Sequence, residues 1–231
     1  MLKLEYTAGS PYARAIRVLF HELDLDYVGS EPDLAPTAMQ LGADTPTLQV
    51  PTLRDGDVVL WESGTIAEYL LSKFVTRVEE APLLATALWR TEQEWEDKLL
   101  FSTIQTFGAA VTTISQLTWT GVTIRENAHL KRCAKRAQLI LLWLENKLLD
   151  EAHGFLPGTV SAQDIFLGCH IRFVQARPLD LTLNLPAHPK INALLDRLDD
   201  RQSFISNPVW WWDPDVVGYT EAGEPIYGKE N

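Results

Sequence analysis

Cysteine is scarce in this chain, and so is positive charge. The two cysteines, Cys133 and Cys169, each sit in an apolar, helix-like run. No Cys-x-x-Cys pair and no Cys/His spacing suggests a metal site. Two buried, reduced thiols are the plain reading; they suit a reducing compartment and give no argument for secretion. Lys and Arg number 20 against 31 Asp and Glu, a formal net charge of −11. That balance argues against a polyanion as partner, because nucleic-acid binders carry a basic face and none is visible. The negative field also slows anionic substrates unless local cations offset it. Long apolar runs are lacking, so no segment is expected to span a bilayer. Met1–Tyr6 lacks the apolar core of a signal peptide. Internal repeats and low-complexity tracts are lacking too. The expectation is a soluble, cytoplasmic protein that engages neither nucleic acid nor membrane.

What is present is enough for a sizeable core. The chain has 231 residues, 46% of them hydrophobic and 22% charged, which fits two small domains or one large one. Leu2, Leu4 and Tyr6 alternate with Lys3 and Glu5, the pattern of a half-buried strand. Ala8-Gly9-Ser10-Pro11 breaks it, and Ile16, Leu19, Phe20 and Leu23 then form a helical stripe. Ser10 suits the N-cap of that helix and Pro11 its first position. Asp26-Tyr27-Val28 reads as a second short strand. The proline-rich stretch from Ser30 to Pro46 reads as loop, with one helical turn around Thr37 to Leu41. Thr47 to Arg54 reads as a strand that turns at Asp55-Gly56-Asp57 into Val58-Val59-Leu60-Trp61, since Asp-Gly between apolar runs signals a hairpin. Pro51 inside that strand needs a reason, because proline cannot donate to a ladder. Glu62-Ser63-Gly64 opens the next helix.

Beyond Ala81-Pro82 the strand signals fade. Helical patterns cover roughly Leu84 to Ile114, Ile124 to Leu149, Ala162 to Arg177 and Pro189 to Arg201. The tail from Asn207, with Trp210-Trp211-Trp212, shows no regular element. A mixed unit followed by helices predicts an α+β chain of two domains with a linker near residues 76–83. The N-terminal element order is thioredoxin-like. The expected division is 1–75 for a thioredoxin-like domain, 84–205 for an all-α helical bundle, and 206–231 for a Trp- and Pro-rich extension.

Four segments resemble the glutathione transferase family. Ser10-Pro11-Tyr12-Ala13-Arg14-Ala15-Ile16-Arg17-Val18 looks like the family's opening of the first helix. Gln49-Val50-Pro51-Thr52-Leu53 is similar to its Val-Pro segment, in which the proline is cis. Leu60-Trp61-Glu62-Ser63-Gly64-Thr65-Ile66 is similar to its Glu-Ser step. Phe155-Leu156-Pro157-Gly158, Ser161-Ala162-Gln163-Asp164-Ile165 and His188-Pro189 through Phe204 look like the later helices of its helical domain. The likeness covers roughly residues 1–205 and fits a serine-type or unclassified bacterial-like cytosolic class. Gln49 stands where the family often has lysine, Gly42-Ala43-Asp44-Thr45-Pro46 where it often has Asn-Pro, and Gln202 where proline is frequent.

The resemblance implies glutathione as co-substrate. Its thiol reacts as the thiolate, and a free thiol with a pKa of about 8.5 is little ionised at neutral pH. A hydroxyl aimed at the sulfur from a helix N-terminus favours the anion. The implied catalytic donor is Ser10, whose bland reading is a helix cap. Tyr6 and Tyr12 are rival donors; Tyr6 also reads as a strand aromatic of the core, and Tyr12 as a pocket residue. Val50 and cis Pro51 would present backbone to the glutathione peptide. Glu62 would meet the γ-glutamyl ammonium and Ser63 its carboxylate, with Gln49 at the glycyl end. Ser161 and Asp164 have capping-box spacing, with a structural role. Trp95, Phe101, Ile104, Phe107 and Trp119 are candidates for an electrophile pocket, with helix-core packing the expected role for most of them. The Trp210–Trp212 run is expected to anchor the tail or cap the cleft. The implied activity is glutathione transfer to an apolar electrophile or reduction of a peroxide, in detoxification, by a homodimer. A non-catalytic ligand carrier or regulatory protein, and a glutathione-dependent isomerase or dehalogenase, are the alternatives.

Overall fold

The structure is a computed structural model that describes residues 1–31, 45–47, 49–75, 91–149, 154–156, 159–210, 216–219 and 225–227. Strand β1 (Leu2–Glu5) buries Leu2 and Leu4 and exposes Lys3, as the alternation requires. It pairs parallel with β2 (Tyr27–Ser30) and antiparallel with β3 (Thr52–Asp55), which pairs antiparallel with β4 (Val58–Trp61). The sheet order is β2-β1-β3-β4, a mixed thioredoxin-like sheet. The β3–β4 hairpin turns at Gly56, whose φ of +61° is the left-handed value that favours glycine. Strand β3 begins at Thr52, five residues later than the expected Thr47. Pro51 therefore lies outside the ladder it could not have joined. The Val50–Pro51 peptide is cis.

Helix α1 (Pro11–Glu22) starts as the sequence demands. Ser10 has extended backbone angles, and its Oγ accepts from the Ala13 N–H at 3.2 Å. Its buried residues run from Ala13 to Phe20 without a break. A helix covered all round lies inside the molecule: one side meets the sheet and α2 (Ser63–Phe74), the other meets α5 (Ala162–Gln175). The helical region comprises α3 (Glu94–Trp119), α4 (Ala128–Glu145), α5, α6 (Pro189–Asp199) and α7 (Gln202–Ile205). Helix α3 runs five residues past the expected end, and α4, α5 and α6 are each shorter than expected. The expected helical turn at 37–41, the linker at 76–83 and the first residues of the helix expected from Leu84 lie outside the described residues. The tail holds an element the sequence reading missed: β5 (Val216–Tyr219) pairs antiparallel with β6 (Pro225–Tyr227).

One apolar core runs through both regions, from Leu4, Ile16 and Leu53 to Phe107, Phe166 and Leu195. Both cysteines are buried free thiols, as expected. The capping box at α5 is present in both directions: Ser161 Oγ accepts from the Asp164 N–H, and Asp164 Oδ2 accepts from the Ser161 N–H at 2.8 Å. Asp164 Oδ1 also accepts from Phe155 N–H at 3.0 Å. Gly154, at φ +90°, leaves the room this needs, since a Cβ there would lie 2.5 Å from Asp164 Oδ1. No helix among the described residues is long and apolar enough to cross a membrane.

Candidate functional site

A cleft of about 850 Å³ opens where three chain segments of the sheet region face α3. The segments are the β1–α1 loop, the residues before β3, and the start of α2. The cleft is lined by Ser10, Tyr12, Gln49, Val50, Pro51, Glu62 and Ser63. Ser10, Tyr12 and the five residues expected to hold glutathione thus share one cleft.

Ser10 is half-buried at the head of α1. Its oxygen accepts the cap bond, so the hydroxyl hydrogen is left to donate to a ligand. Capping and donation are compatible roles for this side chain. The loop before it is tied down by Arg177, a buried residue just beyond α5. Arg177 Nη2 donates to the Gly9 carbonyl and to the Trp210 carbonyl, each at 2.9 Å. Its guanidinium also lies 3.7 Å from the centre of the Phe173 ring, which lines the cleft. Trp210 is therefore anchored through its backbone; Trp211 and Trp212 lie outside the described residues.

Tyr12 sits deeper. Burial pushes its phenol up to about 12, against a hydrogen bond with Thr112 and aided by the Glu62 charge. It stays neutral and acts as a hydrogen-bonding group, not a base. Its ring meets the His170 ring edge-on at 4.6 Å. Gly108 on α3 makes this possible, because a Cβ there would lie 2.5 Å from His170 Nε2 and 2.8 Å from Tyr12 Oη.

At the far end Glu62 precedes α2 with a φ of +65°, an uncommon value for a non-glycine residue. Its side chain makes no capping bond and stays exposed at the cleft. Its carboxylate is therefore not spent on the helix. Ser63, the first residue of α2, is buried. Gln105 of α3 donates through Nε2 to Ser63 Oγ at 3.4 Å. A Cβ on Gly64 would lie 3.0 Å from Phe101 Cε1, so α3 closes tightly over this helix start. Gln105 was not singled out from the sequence. The available signal was an uncharged polar stripe on an apolar helix, Ser102, Gln105, Thr106, Thr112, Thr113 and Gln116.

The remaining candidates divide between cleft, core and surface. Tyr6 is not at the cleft: it follows β1, and the Arg17 guanidinium lies over its ring at 4.9 Å. It behaves as an aromatic packed on the sheet region. Of the five apolar candidates for the electrophile pocket, Phe101 and Trp119 line it. Ile104 and Phe107 are fully buried in the core, while Trp95 is 76% exposed elsewhere on α3.

Known proteins share this architecture. Residues 4–78 match the family described as glutathione S-transferase, N-terminal domain. The N-terminal region is thus similar to that of glutathione S-transferases over about a third of the chain. No curated protein matches the chain in sequence. Among solved structures, a glutathione S-transferase from Methylobacterium radiotolerans in complex with glutathione sulfonate superposes with a TM-score of 0.75 at 21% identity. The match covers 94% of this chain and 99% of that one. One from Methylobacillus flagellatus with glutathione bound has a TM-score of 0.73 at 20% identity, covering 90% of this chain and 98% of that one. A glutathione transferase family member from Pseudomonas fluorescens, also with bound glutathione, gives 0.74 at 21%, with coverage of 90% and 98%. The glutathione S-transferase fold thus extends through the helical region, beyond the part that the family description covers.

Proposed function

We propose that the chain binds glutathione in this cleft and transfers its sulfur to an electrophile, or uses it to reduce a peroxide. One observation carries the reading: Ser10 at the head of α1, Val50 beside cis Pro51, and Glu62 with Ser63 at the head of α2 line a single cleft. The similar structures with bound glutathione support the choice of thiol.

Glu62 receives the γ-glutamyl ammonium. The first N–H groups of α2 and the Ser63 hydroxyl hold the adjacent carboxylate, as helix N-termini hold anions. Gln105 orients Ser63 from across the cleft. Val50 offers its backbone to the cysteinyl residue, and Gln49 takes the glycyl end. The sulfur then meets Ser10 Oγ, whose hydrogen bond together with the α1 dipole favours the thiolate. In transfer the thiolate's electron pair forms the new S–C bond, and the leaving group departs with the pair of the bond it breaks. With a peroxide, the sulfur attacks one oxygen, the O–O bond breaks, and a second glutathione completes the disulfide. Tyr12, a neutral phenol bonded to Thr112, lines the cleft two residues from Ser10, and the departing group takes its proton from solvent.

We take residues 1–75 as the glutathione-binding domain, 84–205 as the helical domain and 206–231 as an extension. A cytoplasmic detoxification role and a homodimer belong to the same proposal. Calorimetry with reduced glutathione tests it. Glu62→Gln and Ser63→Ala should each weaken binding, and absence of binding to the unaltered protein would turn the reading to a carrier or regulator. Ser10→Ala should slow transfer by ~10²-fold, by analogy with loss of an oxyanion donor; an unchanged rate would remove Ser10 from the catalytic role.

A further inference from the structure

Helix α3 runs along the cleft like a ruler. Gln105 touches Ser63, where the γ-glutamyl end is anchored, and Thr112 bonds Tyr12, two residues from Ser10. These contacts are separated by seven residues, about 10 Å of helix. The group carried on the sulfur must therefore lie toward the last turns of α3, against Thr112, Thr113, Ser115, Gln116 and Trp119.

That wall is polar in a particular way. Thr112 and Thr113 donate their hydroxyl hydrogens backward along the helix, to the Gly108 and Ala109 carbonyls at 2.9 and 2.8 Å. Each oxygen keeps acceptor capacity toward the cleft. Ser115 lines the cleft, is fully buried, and its Oγ has no partner among the described residues. A buried hydroxyl without a partner costs about 1–3 kcal/mol, which a ligand bond recovers. Gln105 Oε1 is a second unpartnered acceptor in the same cleft. No Lys or Arg stands among the described lining residues, and the two carboxylates there, Glu62 and Glu68, lie on the α2 side.

We propose that the electrophile half of the cleft is built for a neutral or cationic co-substrate that donates hydrogen bonds, such as an amine- or hydroxyl-bearing compound, instead of the apolar electrophile the sequence suggests. An apolar body would leave Ser115 Oγ unpartnered and strip Thr113 and Gln116 of water without replacing it, and an anionic one would find no Lys or Arg among the described lining residues. Trp119 and Phe173 flank the wall and take the apolar part of such a molecule.

This inference rests on glutathione binding as proposed above, and the test separates the two. Calorimetric affinities are measured for glutathione, S-pentylglutathione and S-(4-aminobutyl)glutathione, the last two alike in length and differing in one terminal donor group. The aminobutyl conjugate should bind about 10-fold more tightly than the pentyl one. The Thr113→Val/Ser115→Ala double variant, which changes volume little, should lower that ratio to about 3-fold or less while leaving glutathione itself unaffected. If glutathione binds and the pentyl conjugate binds as well as or better than the aminobutyl one, the polar-substrate inference falls alone. A ratio that survives in the double variant overturns the assignment to these hydroxyls. If glutathione does not bind, the glutathione reading falls, and this one with it.

Discussion

At the scale of single residues, His170 carries the sharpest consequence. Both ring nitrogens are buried without a partner among the described residues, and the ring is pressed between Tyr12 and Phe166. Burial pushes its imidazole down to about 3 from an ordinary 6.5. The folded protein then holds His170 neutral where the unfolded chain would protonate it. Between pH 6.5 and 3 the unfolded state binds the extra proton, so this residue's contribution is complete above about pH 6.5 and is lost as the pH falls. Asp164 works in the opposite sense: burial raises its carboxyl to about 6, so its own contribution grows as the pH falls from 6 toward 4. The two partly cancel in the total, which is why the difference between variants is the informative quantity. Denaturant unfolding of the wild type and of His170→Leu, compared at pH 7 and pH 4.5, should show the wild type losing about 2–3 kcal/mol more than the variant. Equal losses would mean that His170 reaches a partner or solvent in the folded protein. The Leu variant should also be the more stable at pH 7, since it removes polar atoms that lack partners.

At the scale of elements, the sequence was readable where a local rule and a tertiary need coincide. Helix α1 has a capping serine, a proline at its first position and an apolar stripe, and all three signals agree with the structure. The Ser161–Asp164 box likewise needs only four residues to be read. The end of α3 was drawn short: the helix runs to Trp119, and the stop is Gly121, at φ +81°, two residues beyond it. The strand expected from Thr47 was drawn too long because periodicity outweighed what Pro51 forbids. The β5–β6 pair was missed because strands of four and three residues are too short to show alternation. Site residues from the sheet region were legible because they sit in short contiguous motifs. Gln105 was not, because its meaning comes from Ser63, 42 residues away in the chain. The hydroxyl stripe of α3 was equally silent, since threonine in a helix says nothing of which wall it faces.

At the scale of the whole molecule, one face is left with more apolar surface than an isolated chain needs. Trp95 and Leu99 on α3 are 76% and 60% exposed, and Leu139 and Leu142 on α4 are 53% and 54% exposed. Leu99 and Leu139 line an open groove with Trp143, and Arg132, Lys135 and Arg136 border it. This cluster of cations is conspicuous on a chain of net charge −11. Its complement is at hand: Glu96 is exposed three residues before Leu99 on α3, and Glu92 is exposed just ahead of the helix. A two-fold contact brings each patch against its own copy, so acidic residues of one subunit can meet the basic rim of the other while the leucines pack between. That pattern is what the proposed homodimer requires, and a monomer would leave the apolar residues in water. Sedimentation at micromolar concentration should therefore find a dimer. Leu139→Glu should shift it to monomer, because the new charge enters the apolar centre of both halves at once. Leu139 is more than half exposed, so the variant should keep its helical circular dichroism and its thermal midpoint apart from the loss of association. A wild-type protein that sediments as a monomer, or a Leu139→Glu variant that remains dimeric, would move the subunit contact away from the α3–α4 face.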